Sequence, residues 1–243
     1  MSARWSQLHD RTFVVALAVI TAVGLARLVK AGPRDFVADP ADITACYMSF
    51  VHAGVATCLY VPLFAMGTSR ALAGLDFSAR LVRRGSRRAT LAGSVPGLLA
   101  RSVLFSVSVV GCAVAALVLR SGNAYTSGAV VRLAALQTLF STAFFLAEAF
   151  LVVDVQLAMG SNALGIAAAV VYGALDTLLM TLAPAGISTF WTGWMLLGMA
   201  DPARPGLAVA GAARVAALVA ATWFVACVLV ARVDFMDGDG HDG

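Results

Sequence analysis

The stretch 97–119, GLLARSVLFSVSVVGCAVAALVL, decides the fold class. It is long, predominantly apolar and does not alternate with period two, so it reads as a helix rather than a strand. A helix rising 1.5 Å per residue needs about 20 such residues to cross a bilayer. Five further stretches have the same character, at roughly 12–31, 44–67, 128–157, 162–183 and 207–231. The stretch 128–157 exceeds what crossing requires, so it is expected to tilt or protrude.

Composition agrees with this reading. Of the 243 residues, 60% are hydrophobic and 12% are charged, and the mean hydropathy is +0.88. A water-soluble domain of ordinary composition carries about 25% charged residues. Most of the surface must therefore face lipid, leaving no room for a second globular domain. A single membrane domain is expected over 1–233, followed by an acidic tail, 234–243 (DFMDGDGHDG), expected to be disordered. That tail lacks EF-hand spacing. The run after Arg4 and Arg11 has no signal-peptide pattern and reads as a retained helix.

Arginine placement orients the spans. The connection after the second stretch carries Arg70, Arg80, Arg83, Arg84, Arg87 and Arg88 against Asp76. The connection after the first carries Arg34 against Asp35, Asp39 and Asp42. The positive-inside rule places the basic connection in the cytoplasm and the acidic one outside. With six spans both termini are then cytoplasmic. The outer connection 183–206 is apolar but broken by glycine and proline, and it contains Phe190, Trp191 and Trp194. It suits a short interfacial or re-entrant helix between the fifth and sixth spans.

Ionisable residues inside spans are expensive and usually have a partner or a pathway. His52, Glu148, Asp176 and Arg214 are the candidate intramembrane polar contacts, with Arg27 at a depth similar to His52. Asp176 and Arg214 both fall in outer halves, where they could meet as an ion pair. Glu148 falls in the inner half of the fourth stretch, with Asp154 near its end, which argues against an acidic relay at one depth. Fastening between helices and snorkelling arginines account for such residues more simply than a proton path.

Several chemistries have no sequence support. No GxxxxGK[ST], HExxH or GxSxG occurs, so the chain itself offers no phosphate-cradling loop and none of these catalytic signatures. Cys46, Cys58, Cys112 and Cys227 are scattered in apolar stretches and read as packing residues; no metal site is expected.

The most distinctive polar feature is the segment 68–97. Leu75, Phe77, Leu81 and Val82 interleave with Arg80, Arg83, Arg84, Arg87 and Arg88, as in a short amphipathic helix interrupted at Gly85-Ser86. Such a helix can dock on anionic lipid or in a groove of a cytosolic protein.

With these features in order, the chain resembles the membrane subunit of an ABC-2-type ABC transporter, particularly the small permeases of bacteriocin and antibiotic-peptide export or immunity. SARWSQLHDR (2–11) corresponds to that family's interfacial helix, RLVRRGSRR (80–88) to its coupling segment, and Phe190–Met199 to its outer element. The resemblance implies a permease of the bacterial cytoplasmic membrane working as a homodimer or heterodimer. It implies docking of a cytosolic ATPase through Leu75, Phe77, Arg80, Arg83, Arg84, Arg87 and Arg88. ATP and Mg would be bound by that partner, not by this chain, which would catalyse nothing and bind no nucleic acid. The implied substrate is an amphipathic peptide or lipid-like compound moved outward. The alternative is a substrate-capture subunit of a vitamin or metal importer, with Arg27, His52, Asp176 and Arg214 lining an outer pocket.

Overall fold

The computed structural model describes residues 11–30, 56–73, 87–121, 126–182 and 205–232, with the helical positions Ile43 and Tyr47. Every regular element among the described residues is helical. α1 is Arg11–Lys30. A π-helical turn, Ala56–Tyr60, leads into α2, Val61–Ala73. α3 is the short Arg87–Ala92, and α4 is Val95–Ser121. α5 is Ser127–Met159, α6 Asn162–Leu182 and α7 Pro205–Arg232.

The apolar stretches read from the sequence overlap α1, α2, α4, α5, α6 and α7, and positions 44–55 of the second stretch, Tyr47 apart, lie outside the described residues. Two of the boundary differences flank the basic segment. α2 continues past 67 to Ala73, so the basic segment starts inside a helix. α4 begins at Val95 because Pro96 fits a first helical turn, where its missing N–H is not needed. Among the described residues, three stretches are long and apolar enough to cross a membrane: Arg88–Leu119, Ser127–Met159 and Ala212–Arg232. Shorter apolar helices cover Arg11–Ala26, Cys58–Ser69 and Asn162–Leu175. At 33 residues, α5 is about 50 Å long and outreaches the roughly 30 Å hydrocarbon layer, as its sequence led us to expect.

α5 starts and stops on local chemistry. Thr126 is extended and its hydroxyl accepts from the Ala129 N–H at 3.3 Å, capping the first turn. Gly160 ends the helix at φ 65, a left-handed conformation that favours glycine, and its N–H donates to the Gln156 carbonyl at 2.9 Å. Ser161 then accepts from the Leu164 N–H, so α6 starts at once and returns along α5.

α5 is the central helix, touching α2, α4, α6 and α7, while α1 lies on α2 and α4. Cross-helix contacts reveal direction. Phe64 meets Phe105, and Gly67 meets Arg101, so α2 and α4 are antiparallel. Gly24 lies on Cys112 and Phe13 on Arg101, so α1 runs parallel to α4. Val215 packs with Phe140 and Trp223 with Phe150, so α7 runs parallel to α5. With the tight α5–α6 turn, and only five residues (122–126) between α4 and α5, these contacts make α1, α4 and α6 run one way and α2, α5 and α7 the other. One end of the bundle therefore gathers the start of α1, the end of α2, α3, the start of α4 and the ends of α5 and α7. Arg11, Arg88 and Arg232 stand there, while Lys30, Arg120 and Arg132 lie toward the other end; because the arginine-rich sequence 80–88 leads into α3, the first is named the basic end.

Candidate functional site

At mid-bundle four aromatic side chains interlock. Phe64, Phe105 and Phe145 have ring centroids 4.7–5.1 Å apart, and Phe144 adds a fourth ring 5.5 Å from Phe145. The tilted and edge-on arrangements place ring edges against ring faces, as the aromatic quadrupole favours.

One turn toward the basic end the interior becomes polar. Counting from the three-ring contact, this level holds Gly67 and Thr68 on α2, Arg101 on α4, and Glu148 and Ala149 on α5. Arg101 is 1% exposed, and so is Glu148. The Arg101 Nη1 donates to the Gly67 carbonyl at 2.5 Å. Its guanidinium carbon lies 5.1 Å from the centroid of the Phe13 ring, a cation–π contact with α1. An arginine on α4 thus reaches both other helices on its side of the bundle. An unassisted arginine in a span costs about 2.5–3.5 kcal/mol on insertion scales. The carbonyl and the ring face each offset part of that.

Further polar groups line the same helices. Ser102 and Ser106 are fully buried on α4, and the Ser102 hydroxyl donates to the Leu98 carbonyl at 3.0 Å. On α5, Gln137 donates to the Ser141 hydroxyl at 3.4 Å. Asp154 is buried six positions beyond Glu148 toward the basic end, and its Oδ1 has no hydrogen-bond partner among the described residues.

A lateral groove of about 570 Å³ opens between α4, α5 and α7. Val95, Leu99, Leu139, Leu146, Phe150 and Trp223 line it, so it suits hydrocarbon and not a polar solute.

The residues singled out in the sequence are distributed as follows. Leu75, Phe77, Arg80, Arg83 and Arg84 lie outside the described residues, as does His52. Arg87 opens α3 and Arg88 is exposed on it, while the expected interruption at Gly85-Ser86 lies outside the described residues. Glu148 is buried at the polar level. Asp176 is a position on α6 three residues beyond Gly173, which packs against Val61 of α2. That register puts Asp176 about three helical turns from Glu148 along the bundle. Arg214 is half-buried beside Val215, near the start of α7 and two turns from the Glu148 level. The structure thus keeps Glu148 apart from Asp176 and Arg214. Among the described residues no three His, Cys, Asp or Glu side chains converge as a metal site.

Arg101 was not among the residues singled out. Near the predicted cytoplasmic end of its stretch, it reads as a snorkelling side chain. The available signal was its position four residues before Phe105, on the same helix face. No family model matches the chain, and no curated protein or solved structure matches it either.

Proposed function

We propose that this chain is the permease subunit of an ATP-driven ABC transporter, spanning the bacterial cytoplasmic membrane six times with both termini in the cytoplasm. The observation that carries the reading is the alternation of helix direction, which gathers the start of α1, α3 and the end of α7 at the basic end of the bundle. Positively charged ends stay in the cytoplasm. The exposed Arg88 on α3 then belongs to the surface that meets a cytosolic ATPase, together with the arginines preceding it. ATP and Mg are bound and consumed by that partner.

Two such chains, or one with a related subunit, form the working membrane unit. The lateral groove supports an amphipathic peptide or lipid-like substrate moved outward, since its lining offers a surface for hydrocarbon. A vitamin- or metal-capture subunit would call instead for a polar pocket at the opposite end.

The test is co-purification from the native membrane with an ABC ATPase, which this reading expects to be encoded beside this gene. Changing Arg83, Arg84, Arg87 and Arg88 together to alanine should abolish the complex while leaving the permease in the membrane. An unaltered complex and unaltered coupled ATP hydrolysis sink the docking surface. A small ligand retained by the isolated chain at submicromolar Kd points to the capture subunit instead.

A further inference from the structure

Arg101 and the carbonyl it holds stand on opposite sides of the basic segment. Gly67 is on α2 just before that segment in the chain, and Arg101 is on α4 just after it; they are 34 positions apart. The bond between them closes the base of the segment. The Phe13 ring of α1 flanks it, and Phe13 is itself so close to Gly67 that a Cβ there would lie 3.1 Å from the ring. The guanidinium head is therefore fixed from two directions.

A carbonyl and a ring face orient a guanidinium without neutralising it, and arginine does not lose its proton in proteins. A buried guanidinium therefore calls for an anion. The described acids on α5 are Glu148 and Asp154. Only Glu148 stands at the Arg101 level, since Phe105 meets Phe145 and each charged residue lies one turn from its ring toward the basic end.

We propose that Arg101 is a latch fixing the separation of α2 and α4, the helices that flank the basic segment in the chain, with Glu148 on α5 compensating its charge. Arg101 is a positioning residue in this account. The latch concerns this chain alone and holds whether or not an ATPase docks on the segment.

The roles of hydrogen bond and charge separate experimentally. Arg101→Met and Glu148→Met each leave one buried charge uncompensated, and each should lower the Tm of the purified full chain by roughly 10 °C. The Arg101→Met/Glu148→Met pair removes both charges and should recover most of that loss, because apolar replacements for a buried pair are often neutral. Spin labels on cysteines at positions 73 and 92, with the native cysteines replaced, read the stem separation by electron–electron dipolar coupling. The parent protein should give a narrow distance distribution. The double variant, though folded, should give a broadened one, because the bond to Gly67 is gone. Additive Tm losses in the double variant overturn the charge pairing. A distribution as narrow as the parent's overturns the latch.

Discussion

At the scale of single residues, the tightest points in this bundle are set by side-chain size. Gly24 of α1 lies so close to Cys112 of α4 that a Cβ there would stand 2.7 Å from the Cys112 Cβ. Membrane helices approach closely where small residues meet, because apolar tails give little drive for association and packing must supply it. Gly24→Ala should destabilise by about 1–3 kcal/mol through overpacking, seen as a lowered Tm in detergent. Cys112→Gly in the same chain should restore part of the loss; no restoration would place the strain elsewhere. The contrast with Arg101 is instructive. Glycine spacing hints at close contact but names no partner, and the arginine resembled any charged residue near a span end.

At the scale of elements, each helix end has its own determinant. Thr126 caps α5, and Thr126→Ala should remove about 1 kcal/mol. Gly160 is left-handed with open space around its Cβ position, so alanine there meets a backbone penalty alone. Gly160→Ala should lower stability by about 1–2 kcal/mol. Comparing the two variants by thermal unfolding separates cap loss from turn strain, and a neutral Gly160→Ala would deny that the turn requires its conformation. The helices were legible element by element because each apolar stretch has the length a span demands. Their limits were less so. Pro96 and the Gly160-Ser161 turn mark boundaries in the sequence, whereas apolar length alone stops α2 short of TSRALA (68–73), whose Arg70, Ala71, Leu72 and Ala73 are strong helix formers.

At the scale of the whole molecule, helix direction becomes a testable topology. Single cysteines at Ala92, Asn162 and Arg232 should react with a membrane-impermeant maleimide only from the cytoplasmic side, in a chain lacking its native cysteines. A cysteine at Ser127, at the start of α5, should react only from outside. Labelling of Ala92 and Ser127 from the same face would refute the alternation.

The chain's sequence determined by itself that this is an all-helical protein rich in membrane-length apolar segments. Apolar length and charge placement are local properties, and a bilayer responds to them segment by segment. It also marked Glu148 as a residue needing a partner, since a carboxylate in an apolar run is costly wherever the run ends up. Only the tertiary structure decided which groups share a level. Arg101 is four residues into its expected span and Glu148 nine from the end of its own, so counting from those limits puts them at different depths. The interlocked Phe64, Phe105 and Phe145 rings override that count. They set the sliding register of α2, α4 and α5, and register arises from side-chain packing between helices remote in sequence.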